Sequence, residues 1–145
     1  MKLLKLFLLI AGITILNGVA NAQVIELNEN QLFEKVCRGW AANIDYKGDK
    51  PCVVLFDNGT CPFAKLEEKF LKTLSKKKEY KGKVYFYKVN VWNLSDQTLK
   101  DFSFEGVPQT YFFITQNNHS TSDDYEVGML SINELKEYLN DMLDY

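Results

Sequence analysis

The sequence predicts an α/β sandwich, a central mixed β-sheet with helices on both faces, in the order β-α-β-α-β-α-β-β-α. Three observations carry this. Short β-rich runs alternate with helix-periodic stretches, which places a crossover helix between parallel strands. The run Cys52 to Phe56 is apolar throughout, as a strand covered on both faces should be. Two segments open with a residue able to cap a helix and a Gln or Glu three positions later.

Each element follows in order. Val24 to Leu27 is a short strand. Asn28 caps the first helix, with Gln31 positioned to reach back, and Leu32, Phe33, Val36, Cys37 and Trp40 at helical spacing. Residues 46–51 form a turn-rich break before the apolar strand. Pro62 suits the first turn of the second helix. Phe63, Leu66, Phe70, Leu71 and Leu74 are expected on its buried face, with lysines and glutamates outside, and it closes on Lys76-Lys77-Lys78, favourable at the negative helix end. Val84 to Val91 is a strand. Ser95 caps a short helix to Phe102. Gly106-Val107-Pro108 is a turn, and Tyr111 to Ile114 a strand. Residues 116–124 are read as a polar hairpin loop and Tyr125 to Met129 as the last strand. Ser131 and Glu134 form a capping box for the final helix, with Leu135, Tyr138, Leu139, Met142 and Leu143 inward.

The 145 residues suit one domain, and 46% hydrophobic with 25% charged residues is an ordinary globular balance. A net charge of −2 lacks the basic excess of a nucleic-acid binder. Residues 1–22 read as a secretory signal peptide: Lys2 and Lys5, an apolar run from Leu6 to Leu16, then Ala20-Asn21-Ala22 as the cleavage site. The run is short for a membrane span. One domain is therefore expected over residues 23–145, without a membrane anchor after cleavage, in an oxidising location: secreted, or periplasmic in a Gram-negative source.

Chemistry centres on Cys61. It follows the buried strand and stands where a helix begins. Unpaired amides and the positive dipole end there favour a thiolate, the nucleophilic form. Read structurally, the same residue is only a small helix-start side chain. Of the other two cysteines, Cys52 and Cys61 lie near opposite ends of one strand, on the order of 20 Å apart, too far to bridge. Cys37 and Cys52 are either a structural disulfide, worth about 3 kcal/mol in the chain-entropy account, or two buried thiols acting as apolar side chains. His119 lies in a polar loop with nothing to place it at Cys61. No metal-ligand spacing occurs, and no cofactor is implied. Trp40, Trp92 and Tyr85-Phe86-Tyr87 read as packing residues, and Asp123-Asp124 as a solubilising pair.

The blocks KPCVVLFDNGTCPFAKLEEKFLKTLSKKKEYKGKVYFYKVNV, EGVPQTYFF and VGMLSINELKEYL carry a resemblance. Over nearly all of its mature length the chain is similar to the thioredoxin family, in which a buried strand leads to Trp-Cys-Gly-Pro-Cys-Lys at a helix start and a later turn holds a cis proline. The resemblance implies that Cys61 is the attacking cysteine and Pro108 the cis proline beside it. Val107 would offer its backbone to an extended substrate, with Thr60, at the motif tryptophan, on the same surface. Lys65 and Lys88 fall on family lysines able to lend electrostatic support.

The departures are as informative. Ala64 replaces the resolving cysteine, Leu55 stands at the buried carboxylate position with Asp57 two residues on, and Gln109 follows the proline. A carboxylate serving an absent thiol would only cost burial energy. Dithiol turnover is closed to such a motif, but one-thiol exchange or isomerisation remains open. The Cys-Gly-Phe-Ser motif of monothiol glutaredoxins is a partial analogy, although no glutathione site is readable. The expected partners are protein or small-molecule thiols and disulfides, acted on by a monomer. The alternatives are a non-catalytic module that holds an extended partner segment, and a permanent intermolecular disulfide through Cys61.

Overall fold

The computed structural model describes residues 23–39, 46–115 and 124–144. The signal segment, Trp40, His119 and Asp123 lie outside the described residues.

The elements are β1 (Val24–Leu27), α1 (Glu29–Lys35), β2 (Cys52–Asp57), α2 (Pro62–Ser75), β3 (Tyr85–Asn90), a 3-10 turn (Val91–Asn93), α3 (Asp96–Asp101), β4 (Gln109–Phe113), β5 (Asp124–Val127) and α4 (Ile132–Leu143). The capping boxes at Asn28/Gln31 and Ser131/Glu134 both form, and Ser95 caps α3 through the Thr98 amide. The β3 strand stops one residue short of Val91 because Asn90 accepts from the Trp92 amide at 3.0 Å and turns the chain into the 3-10 turn.

The five strands lie in the order β1-β3-β2-β4-β5. Strands β1 and β2 run parallel to β3, whereas β4 pairs antiparallel with β2 and β5 antiparallel with β4. The all-apolar β2 is therefore the central strand, and all six of its residues are buried. Alternation along the strands sorts the core into two layers. Val53, Leu55, Phe86 and Phe112 face Leu71 and Leu74 of α2 and Leu135 and Leu139 of α4. Cys52, Val54, Phe56, Tyr87, Tyr111 and Phe113 face Leu32 of α1 and Phe102 at the end of α3.

The orientation of α2 differs from the sequence expectation. Its buried stripe is Ala64, Glu67, Leu71, Leu74 and Ser75. Phe63 and Leu66 are instead exposed, at 62% and 40%, and Phe70 is half-buried. The helix is thus rotated so that a small residue and a glutamate lie against the sheet, and two large apolar side chains meet solvent.

Candidate functional site

The site is built at the C-terminal end of β2. Gly59 takes φ +82°, a left-handed turn that an L side chain seldom adopts. Asp57 accepts from the Gly59 amide at 3.0 Å, and Asn58 Oδ1 accepts from the amides of Thr60 (3.0 Å) and Cys61 (2.9 Å). The Thr60 hydroxyl bonds the same oxygen at 3.2 Å. Asn58 thus folds the connection that delivers the chain to α2. Sequence reasoning missed this residue, although Asn before Gly in a short connection is a turn signal.

Cys61 is the N-cap of α2, partly exposed, with extended backbone and no side-chain capping hydrogen bond. Pro62 at the first helical position has no N–H, and helix geometry leaves the Phe63 and Ala64 amides without carbonyl partners inside the helix. The sulfur therefore stands at the amide-rich mouth of the helix. One turn along, Ala64 is completely buried. No second cysteine shares this place: Cys37 and Cys52 lie in the layer beneath α1 and α3.

Pro108 comes to the same end of the sheet through strand register. Phe56 pairs with Gln109 across β2 and β4, so Pro108 stands opposite the exit of β2. The Val107–Pro108 peptide bond is cis, and the Pro108 carbonyl accepts from the Gly128 amide at 2.8 Å, which ties the turn to the end of β5. Gln109 is fully buried. Its side chain accepts from the Glu105 amide at 2.8 Å and donates to the Ser103 carbonyl at 3.2 Å, bracing the loop that precedes the proline.

The two lysines differ in their attachments. Lys65 is exposed on the first turn of α2. Lys88 donates to Glu68 Oε1 at 2.6 Å, and this bond, ahead of nearby carboxylate charges, holds its pKa above the ordinary lysine value. Its charge is engaged by Glu68, which also meets Lys72 at 3.3 Å. Lys88 pairs in register with Leu55, which is fully buried.

A carboxylate does lie under α2, at a position that sequence reasoning placed on the outer face. Glu67 is fully buried. Its Oε1 accepts from the Thr110 hydroxyl at 2.5 Å and its Oε2 from the Leu130 amide at 3.2 Å. Burial raises its pKa to about 7, against those two bonds. Ala64, Glu67, Leu71 and Leu74 share one helical stripe, but a glutamate within it reads as exposed until its distant donors are known.

Cys37 and Cys52 are free thiols, both buried. Burial pushes the Cys37 thiol up to about 11 and Cys52 further in the same direction, and Cys37 lies close enough to oppose ionisation of Cys52. They fill the core beside Tyr46, whose hydroxyl donates to the Lys50 carbonyl. Trp92, read from sequence as a packing residue, is 78% exposed. Among the described residues no cluster of His, Cys, Asp or Glu has the makings of a metal site. A cavity of about 380 Å³ lies between β5 and α4, walled by Glu126, Glu134, Glu137 and Asp141, and Cys61 does not line it.

Against solved structures, the chain superimposes on chloroplastic thioredoxin z with a TM-score of 0.66 at 17% identity, covering 85% of this chain and 96% of that one. It superimposes on the thioredoxin Mala s 13 of Malassezia sympodialis with a TM-score of 0.62 at 21% identity, covering 85% and 93%. The fold is that of thioredoxin. No protein-family model matches the sequence, and no curated protein matches it. At these identities the thioredoxin architecture is shared while the side chains at the Cys61 end are this chain's own.

Proposed function

We propose that this thioredoxin-fold protein carries out monothiol disulfide exchange through Cys61, in an oxidising compartment reached through the signal pattern of residues 1–22. The observation that carries the reading is the partly exposed sulfur at the first turn of α2 with a buried alanine at the resolving position.

The step balances without an external oxidant. The Cys61 thiolate attacks one sulfur of a substrate disulfide. The Cys61–substrate bond forms, the substrate's own S–S bond breaks, and the second substrate sulfur leaves as thiolate. A different thiolate of the substrate then attacks the substrate sulfur of the mixed disulfide and expels Cys61, so the substrate ends with a new disulfide pairing and no net redox change; attack by the first leaving thiolate only reverses the step. An outside thiol in the same role releases the substrate as a new mixed disulfide. Val107, ahead of the cis proline, presents backbone at the same end of the sheet for an extended substrate segment.

The test is covalent trapping. The protein is incubated with a peptide disulfide, quenched with acid and analysed by intact mass. The expected product is a single adduct at Cys61, lost in Cys61→Ser and released by added thiol. Failure of Cys61 to form any adduct, with peptide binding unchanged in Cys61→Ser, would replace exchange by a non-catalytic holding role. A reductant-sensitive dimer would indicate a permanent intermolecular bond.

A further inference from the structure

Apart from the Lys72–Glu68 pair, the outward face of α2 makes no ion pair among the described residues, and its composition is uneven. Lys65, Lys69, Lys72 and Lys76 are separated by four, three and four residues, so they form one exposed stripe. Leu66 flanks this stripe and Phe63 lies further round the helix, large apolar side chains exposed at 40% and 62%. The lysine stripe and the apolar pair both begin within about one turn of Cys61.

Charge is concentrated here. Residues 62–84 hold eight lysines against three glutamates. Of the glutamates, Glu67 is buried and Glu68 is taken up by Lys72 and Lys88. Among the described residues neither Lys65 nor Lys69 has an ion-pair partner. The rest of the chain is acidic, with nine basic against sixteen acidic residues. A solvated face needs neither this segregation nor exposed phenylalanine. A charged stripe with exposed apolar side chains round the same helix fits a partner that carries the complementary pair.

We infer that the outer face of α2 is a docking surface for an acidic polypeptide segment with interspersed apolar residues, and that it selects the partners brought to Cys61. The α2 helix rises roughly 20 Å from Pro62 to Ser75, enough to hold an extended segment of about six residues. Lysines guide the approach, and Phe63 and Leu66 give short-range register next to the sulfur. The inference deepens the exchange reading by naming its substrate class, but docking and exchange are separable by experiment.

Two fluorescein-labelled decapeptides without cysteine serve as probes, one alternating Glu with Leu and Phe, the other with Lys in place of Glu. Anisotropy is read with Cys61→Ser protein, so no covalent step contributes. The acidic peptide is expected to bind and the basic one not to. Lys69→Glu/Lys76→Glu should weaken binding at least tenfold, Phe63→Ser severalfold, and 0.5 M salt should abolish most of it. In the protein with Cys61 intact, Lys69→Glu/Lys76→Glu should leave exchange with a small uncharged disulfide unchanged. Equal affinity for both peptides, absence of binding, or binding indifferent to the lysine substitutions overturns the docking surface. Lysine-dependent binding to phosphatidylglycerol–phosphatidylcholine vesicles without peptide binding also overturns it, in favour of a lipid surface. Peptide binding without any exchange at Cys61 leaves the docking surface standing and removes the exchange reading.

Discussion

The two layers on either side of the sheet use polar chemistry in opposite ways. Beneath α1 and α3, Cys37, Cys52 and Tyr46 are held in their neutral forms by burial. The two thiols there act as packing volume, and the phenol stays a neutral donor to the Lys50 carbonyl. Beneath α2 and α4, polar groups keep partners and titrate: Glu67 with Thr110 and Leu130, Glu68 with Lys88 and Lys72. That same layer contains the helix whose first turn bears Cys61. The contrast teaches that residue type does not decide reactivity in this molecule. Three cysteines occupy one small domain, and position alone makes one accessible and two inert.

The largest expected effect tests the sulfurs. In native buffer, iodoacetamide should modify Cys61 and leave Cys37 and Cys52 on the order of a hundredfold slower or more, since they react only when the core opens. In denaturant all three should react. Peptide mapping of native adducts at Cys37 or Cys52 would erase the distinction between the layers.

Next in size is the pH response of Glu67. Its folded pKa is raised from the ordinary 4.5 to about 7, so the folded state binds the proton more tightly than the unfolded chain. Its contribution to stability is full below about pH 4.5 and is lost as pH rises through about 7. Glu67→Gln should therefore stabilise the protein at pH 8 by on the order of 3 kcal/mol, with little change at pH 4.5. Denaturant melts at the two pH values check this, and an equal effect at both would rule out titration as the cause.

The smallest effect carries the opposite sign in the adjacent residue. Burial alone would raise the Glu68 pKa, but the hydrogen bonds and charges of Lys88 and Lys72 outweigh it and lower it. Its contribution is present above the ordinary carboxylate range and fades as pH falls through the lowered value. Glu68→Gln should cost about 1 kcal/mol at pH 7, within the range of a partly exposed pair, and less in acid. Neighbouring glutamates with opposite pH signatures would show that this layer titrates through local partners.

Much of the architecture was legible from sequence because it rests on local signals. The capping pairs Asn28/Gln31 and Ser131/Glu134, the unbroken run in β2 and Pro62 at a helix start each specify an element without knowledge of its neighbours. The rotation of α2 was not legible in the same way. Large apolar residues occupy two adjacent stripes of that helix, and ranking by hydrophobicity favours Phe63 and Leu66 for burial. The sheet instead takes Ala64, a small side chain that is fully buried, and Glu67, which finds donors on β4 and at Leu130. Those donors are 43 and 63 residues away in sequence, so no local pattern announces them. At the Cys61 end, the position of the sulfur followed from the strand-to-helix spacing. The role of Asn58 and the engagement of Lys88 by Glu68 required coordinates, because each depends on which of several polar neighbours wins.

One feature of the helix start reaches beyond its geometry. Asn58 secures the turn, and the Cys61 side chain contributes no bond to it. The sulfur is therefore free of structural duty. Another side chain at this position would remove no bond that holds the turn, which makes the domain a natural chassis for redesign.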